Sequence, residues 1–363
     1  MLQYFQTFQR GAPMKKVQWS LIVSIMIGLM VFTVYNFRAK GEDIHFDDEQ
    51  EDLTDQIVIK FSHVVAENTP KGLAAQRFAK LVQKKTNNKV KVEVYPNGML
   101  YSDEAEFEAL KQGSIQMIAP ASTKITRTFS ELALLDLPYA FPNYEAVNKA
   151  LTGNIRDELL ANVKNDNMFG LAIWNNGFKQ MTTSSRPLTG PSDFADQHFR
   201  VMTGPVIQAQ FEALHAETSQ IPFNRTYQNL TNQTITGQEN TLSNIYSKRF
   251  YEVQTHMTIS NHGLLSYVVL MNQGFWDKLS PELQQNIQSA MKEATNWNHQ
   301  HAVKMNQQAL KRIKEQSDIH IYDLPPERKE VWRRQFEEVY DRFDEEIGKS
   351  LMEELEELRE KYK

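Results

Sequence analysis

The chain has 363 residues, enough for two domains at roughly 150 residues each, and its 41% hydrophobic and 23% charged content is that of a globular protein. A net charge of -5 leaves no basic footprint for nucleic acid, and the acidic excess gathers in Glu42–Asp55 and Glu337–Glu360. The absence of cysteine excludes disulfides, cysteine-ligated zinc, iron–sulfur clusters, thiol nucleophiles and an acylated lipoprotein anchor, so the core alone must stabilise the fold.

Val17 to Phe37 (VQWSLIVSIMIGLMVFTVYNF) carries no charged side chain. As a helix rising ~1.5 Å per residue it spans the roughly 30 Å hydrocarbon core of a bilayer. Trp19 and Tyr35 lie near its ends, where amphipathic rings favour the interface, and Arg10, Lys15 and Lys16 precede it. The positive-inside rule then places residues 1–16 in the cytoplasm and the chain beyond Phe37 outside the cell membrane, as a single-pass protein. A cleaved signal peptide is the competing reading. It requires a shorter apolar run and a small-x-small site, which Phe37-Arg38-Ala39 does not offer, so the span is read as an uncleaved anchor. Met14-Lys15-Lys16 is an alternative start to Met1, and residues 38–55 read as an acidic, solvated linker.

Ile57 to Val64 is rich in β-branched residues and is expected as a strand. Asn68-Thr69-Pro70 signals a helix start, and Leu73, Phe78, Leu81 and Val82 give that helix an apolar stripe. Val90, Val92 and Val94 alternate as in a half-buried strand. A turn at Pro96-Asn97-Gly98 follows, then a helix capped by Ser102-Asp103 and stopped by Gly113, then a strand at Ile115–Ala119. This β-α-β-α-β order predicts a parallel sheet with right-handed crossovers. Ligands of such sheets bind beyond the carboxyl ends of the strands, which points to His63–Thr69 and Ser122-Thr123-Lys124.

Further along, a helix is expected at Tyr144–Val163 and a strand at Phe169–Trp174. A second unit begins near Lys179, with a strand at Phe199–Met202, a helix at Pro205–Leu214, a short strand ending at Pro222-Phe223 and helix from Asn240 to Tyr251. Tyr267–Met271 reads as a buried strand, the chain after Ser280-Pro281 as a long helix, and Pro326–Tyr362 as one last helix. That last helix carries Phe336, Val339, Tyr340, Phe343, Ile347, Leu351, Leu355 and Leu358 on one stripe, expected to pack on the body. No Gly-rich phosphate loop, HExxH pattern or G-x-S-x-G elbow occurs, and His299 and His301 stand on different sides of their helix. Neither a cofactor, a metal nor an enzymatic activity is expected.

Gly237-Gln238-Glu239-Asn240, Ser243-Asn244-Ile245-Tyr246 and Phe250-Tyr251-Glu252-Val253-Gln254 together resemble the binding subunit of tripartite ATP-independent (TRAP-type) carboxylate transporters, in the dicarboxylate-binding, DctP-like branch. Phe61-Ser62-His63-Val64-Val65, Thr69-Pro70-Lys71-Gly72, Asp136-Leu137-Pro138-Tyr139-Ala140-Phe141, Asn176-Gly177-Phe178-Lys179-Gln180, Phe199-Arg200-Val201 and Asn261-His262-Gly263 extend the resemblance from about Gln56 to the C-terminus. It implies an α/β, two-lobed, periplasmic-binding-protein-like (Venus flytrap) fold with a long bridging helix from the Ser280 region. Lobe I is expected at residues 56–177 with about 266–305, and lobe II at 178–265 with about 306–363.

The resemblance also implies roles. Arg200 matches the arginine that grips the substrate carboxylate, a role suited to the planar, bidentate guanidinium. Asn240 matches an asparagine bonding the same group, Lys179 falls where many members carry a second cation, and Phe223 matches an aromatic wall. Thr236 stands where the family usually has aspartate, a position expected to be structural. Lys124, Thr123 and His63 join the candidate ligand contacts from their places after the first and third strands; His262 and Thr69 are expected to be structural. The implied function is capture of a small carboxylate, a C4-dicarboxylate such as succinate, fumarate or malate, by lobe closure for delivery to a membrane transporter. The alternative is a tethered co-receptor reporting ligand to a sensor kinase. The receptor domain is expected to be monomeric.

Overall fold

A computed structural model describes residues 56–163 and 167–363. The expected cytoplasmic tail, membrane span and acidic linker lie outside the described residues. Among the described residues no helix is long and apolar enough to cross a membrane.

The first strand, β1 (Ile57–Ser62), pairs in parallel with β2 (Val90–Tyr95) on one side and with β3 (Met117–Ile118) on the other. This is the parallel arrangement read from the β-α-β-α-β order. The helix between β1 and β2 runs Pro70–Lys85, with Pro70 in its first turn and Thr69 Oγ1 accepting from the Gly72 amide at 3.2 Å. Its buried stripe is Ala74, Ala75, Phe78 and Val82, whereas Leu73 points outward. The helix expected from Ser102-Asp103 starts later, at Glu106–Lys111. Asp103 does not cap it and instead pairs with Lys124.

The strand expected at Phe169–Trp174 is far longer. β4 (Met168–Thr183) runs 16 residues and is shared between two groups of strands. β5 (His198–Val201) pairs in parallel with β6 (Glu217–Gln220) and with β7 (Gly237–Thr241). The second half of β4 pairs with β7 and with β8 (His256–Ile259), both antiparallel. Its first half lies against β9 (Leu264–Asn272), which also pairs with β3. β10 (His320–Asp323) adds to β8. The main path is therefore β2-β1-β3-β9-β4-β7-β5-β6. β7 was not expected as a strand, because Gly, Gln, Glu and Asn have little strand propensity; the helix expected after Asn240 is present at Leu242–Ser247.

The long helix is present as Pro281–Gln316, 36 residues, with Ser280 capping its start. It is pinned to β4 where that strand loses its regular register, between Asn175 and Gly177. Asn298 Oδ1 accepts from the Asn175 amide and Asn306 Nδ2 donates to the Asn176 carbonyl, both at 2.8 Å. Gly177 has φ 113°, and a side chain there would meet the Asn306 amide at 2.6 Å. The helix expected at Tyr144–Val163 divides at Gly153 into Tyr144–Thr152 and Asn154–Asn162. The C-terminal helix likewise breaks, into Pro326–Gln335, Glu337–Ile347 and Lys349–Lys361, with Gly348 at φ 96° at the second break. Its apolar stripe is buried as expected: Phe336, Val339, Phe343, Ile347, Leu351, Leu355 and Leu358 join a core with Leu134, Leu151 and Leu159. A second core gathers Ile59, Phe61, Phe78 and Trp174 with Ile287 and Met291 of the long helix.

Candidate ligand-binding site

A cavity of about 380 Å³ opens beyond the ends of β1 and β3, where a parallel sheet of this order was expected to bind. Val64 and Val65 after β1, and Ala121 and Lys124 after β3, line one side. Arg200 of β5, Phe223 after β6 and Asn240 of β7 line the other.

Arg200 is almost wholly buried, at 1% exposure. Its Nε donates to the Ile221 carbonyl at 2.8 Å, which fixes the plane of the guanidinium. Its carbon lies 5.8 Å from the Phe223 ring centre. Neither Nη group is bonded to any described residue, so the two parallel donors that suit a carboxylate remain free. Burial lowers the Arg200 pKa, opposed by Asp103 and Glu239, yet a guanidinium stays charged in proteins.

Asn240 is oriented by its own neighbours. Its Oδ1 accepts from Asn244 Nδ2 at 2.8 Å and from the Thr241 amide at 3.1 Å, which leaves Nδ2 as a donor for the cavity. Asn244 also donates to the Tyr267 hydroxyl at 3.3 Å. Phe223 forms the aromatic wall, edge-on to Phe250 at 6.1 Å, with Lys248 Nζ 5.3 Å from its ring centre. Lys124 reaches the cavity, but Asp103 holds its Nζ at 3.1 Å and Thr203 Oγ1 accepts from it at 3.3 Å.

Three candidates are not part of the cavity lining. Lys179 is fully buried, with Nζ 2.8 Å from Glu239 Oε1. The other oxygen, Glu239 Oε2, meets His262 Nε2 at 2.7 Å, and His262 Nδ1 meets Ser260 Oγ at 2.7 Å. Burial alone would raise the Glu239 pKa, but Lys179 and His262 beside it bring it down to about 2. Thr123 donates to Asp136 Oδ1 at 2.6 Å, inside the protein. His63 is fully buried with neither ring nitrogen bonded, and burial, reinforced by Lys71, lowers its pKa to about 3, so it is neutral. Thr236 does structural work between strands: its hydroxyl donates to Gln197 Oε1 at 2.9 Å and accepts from the His198 amide at 2.9 Å.

Sequence reasoning missed Asp103, Glu106, Asn244 and Tyr267, all of which line the cavity. Asp103 was read as a cap and Tyr267 as core. The signal available was position alone: Glu106 and Asp103 follow β2, whose carboxyl end points at the same cleft. Behind Tyr267, Lys71 lies 3.7 Å from the ring centre and donates to the Ala119 carbonyl at 2.8 Å. Burial lowers its pKa to about 7, against the pull of Glu106 and Asp103.

The cavity thus presents free donors of Arg200 and Asn240 among largely apolar walls. The family model of bacterial extracellular solute-binding protein, family 7, matches residues 61–346. The C4-dicarboxylate-binding protein DctB of Bacillus subtilis is 47% identical over 333 residues, covering 92% of this chain and 95% of that one. The C4-dicarboxylate-binding periplasmic protein DctP of Rhodobacter capsulatus is 39% identical over 297 residues, covering 82% and 89%. Among solved structures, a TRAP periplasmic solute binding protein from Sulfurospirillum deleyianum with bound succinate superposes with a TM-score of 0.80 at 38% identity, covering 83% of this chain and 98% of that one. One from Pseudomonas aeruginosa with bound L-malate gives 0.76 at 34% identity, covering 79% and 99%. These likenesses establish the two-lobed α/β binding-protein fold. The chain belongs to family 7 of the bacterial extracellular solute-binding proteins, the DctP family of TRAP receptors, which bind solutes and are not enzymes.

Proposed function

We propose that this receptor captures a C4-dicarboxylate such as succinate, fumarate or malate outside the cytoplasm and hands it to the membrane subunits of a TRAP-type carrier. The observation that carries the reading is the Arg200 guanidinium, buried in a cavity with both Nη groups free of acceptors among the described residues. A buried cation with no counter-ion at its bonding edge is costly, and a ligand carboxylate completes it with two charge-assisted bonds. Asn240 Nδ2 adds a third donor, and Phe223 covers one face. Lys124, already neutralised by Asp103, is positioned to assist a second carboxylate. The relatives named for C4-dicarboxylates, and the similar structures holding succinate and L-malate, support the ligand class.

In this reading lobe I comprises residues 56–177 with about 266–305, and lobe II residues 178–265 with about 306–363. The cavity then takes Lys124 and Tyr267 from one lobe and Arg200, Phe223 and Asn240 from the other, so that closure by hinge motion buries the anion. Exclusion of water strengthens each charged contact. Val17–Phe37 would hold the receptor at the cell membrane beside its carrier.

Calorimetric titration with succinate, fumarate, malate, aspartate, monocarboxylates and sialic acid tests the ligand class. The expected outcome is tight binding confined to the C4 dicarboxylates; response to monocarboxylates alone would defeat it. Co-reconstitution with the carrier subunits, scored by succinate uptake, tests the partner, and ligand-dependent association with a sensor kinase in its place would replace it.

A further inference from the structure

One cavity side chain has no use in the ligand reading so far. Glu106 opens the Glu106–Lys111 helix, is fully buried, and lines the same cavity as Arg200 and Asn240. Neither of its carboxyl oxygens meets a hydrogen-bond partner among the described residues. The nearby cations are committed elsewhere: Lys124 to Asp103 at 3.1 Å, Lys71 to the Ala119 carbonyl at 2.8 Å. An ionised carboxylate here would be dry, unbonded and repulsive to an incoming anion, whereas a protonated carboxyl is a donor waiting for an acceptor.

We propose that Glu106 is a specificity-determining residue that stays protonated in the empty site and donates its carboxyl O–H to an oxygen of the bound acid remote from the carboxylate held by Arg200. This rests on the dicarboxylate reading above. Glu106 and Arg200 differ in their charged surroundings. Asp103, Glu239 and Tyr267 act on Arg200, while Lys71, Asp103 and Lys124 act on Glu106. Tyr267, which lines the same cavity, is influenced by both Glu106 and Arg200. Burial raises the Glu106 pKa to about 8, with Lys71 opposing and Asp103 reinforcing.

The sign of the pH effect follows. Below about pH 8 the carboxyl donates and a doubly ionised ligand is accepted; above it the carboxylate repels that ligand and affinity falls. The groups facing Glu106 are Lys71 from the Pro70–Lys85 helix, Asp103 before its own helix, Lys124 after β3, Tyr267 of β9 and Arg200 of β5, with His63 behind Lys71. Tyr267 is raised by burial, Arg200 remains charged and His63 remains neutral through this range. Lys71, lowered to about 7, is the group that also titrates, so its share must be separated.

Titration calorimetry with succinate from pH 6.5 to 9.5, in two buffers of different ionisation enthalpy, tests the proposal on the wild type and Glu106→Gln. The expected wild-type Kd rises by about tenfold per pH unit above the Glu106 pKa, with uptake approaching one proton per succinate. Glu106→Gln keeps an amide donor, so its pH 7 affinity stays within about threefold while this limb and its proton uptake vanish; what pH dependence is left belongs to Lys71. Glu106→Leu, of similar volume, serves if the glutamine variant fails to fold, and it too loses the limb. Binding without proton uptake and with a flat profile overturns the proposal alone. So does a Glu106→Gln protein that melts cooperatively yet loses a hundredfold affinity at pH 7, because the ionised form would then be the one required. Absence of binding to any C4 dicarboxylate at any pH overturns the receptor reading and this proposal with it.

Discussion

Two basic residues, Arg200 and Lys179, sit on strands joined through β7, and both were expected to grip a ligand carboxylate. Their surroundings are opposite. Lys179 already has its carboxylate: Glu239 meets it at 2.8 Å and His262 holds the other oxygen at 2.7 Å. Arg200 has a carbonyl on Nε and, among the described residues, no partner on its Nη groups. The division is made by one strand. Glu239 and Asn240 are adjacent on β7, and successive side chains of a strand point to opposite faces. Glu239 therefore turns to the Lys179 cluster and Asn240 to the cleft. Across the pair of strands, Gln180 stands opposite Asn240, while Lys179, opposite Thr241, reaches Glu239 on the diagonal. The ion pair of Lys179 is completed within the fold, and in the proposed reading that of Arg200 is completed by the ligand.

Breaking the completed side has the largest expected effect. Lys179→Met leaves Glu239 buried with only His262 and should destabilise by ~3–5 kcal/mol in urea unfolding, with affinity per folded molecule kept. Lys179→Met combined with Glu239→Met should recover most of that loss, since a buried pair replaced by apolar side chains is often neutral. Acid reports the same cluster. The Glu239 pKa is lowered to about 2, so its contribution is complete above its unfolded value near 4.5 and drains away as pH falls toward 2. The double variant should lack this limb in melts between pH 5 and 2.

Breaking the incomplete side acts on affinity instead. Arg200→Lys removes the planar fork and should weaken dicarboxylate binding by ~2–5 kcal/mol, on the order of 30-fold to several thousand-fold, with a near-normal melt. Unchanged calorimetric affinity would remove Arg200 from the site. Asn240→Ala should cost about 1.5–3 kcal/mol of affinity, as for a hydrogen bond to a charged group. The smallest effect sharpens the contrast for a residue that was grouped with the site but lies inside the fold. Thr123→Val, which takes the 2.6 Å bond from Asp136, should cost about 1 kcal/mol of stability and leave Kd unchanged.

Much of this molecule is legible in its residue pattern. The valines of β2, the Thr69-Pro70 start, the Ser280-Pro281 start of the long helix and the apolar C-terminal stripe all rest on local periodicity or capping, which tertiary context left intact. The misreadings occur where context overrides propensity. Gly237–Thr241 forms a strand although its residues disfavour one, because it is inserted between β4 and β5 and every residue of it is buried. The last helix breaks at Gly348, where φ is positive.

The sequence by itself determined the parallel first half and the kinship, because strand order and an ordered set of motifs suffice for both, and the resemblance pointed to Arg200, Asn240 and Phe223, all of which line the cavity. Which cation stays available was decided only by the tertiary structure. Lys179 and Glu239 lie 60 positions apart, Lys124 and Asp103 are separated by a helix and a strand, and no local pattern reveals that each lysine brings its own counter-ion. The same holds for Glu106: its burial without a partner is a property of the walls around it, and that property makes a surface-type residue a candidate reader of the ligand.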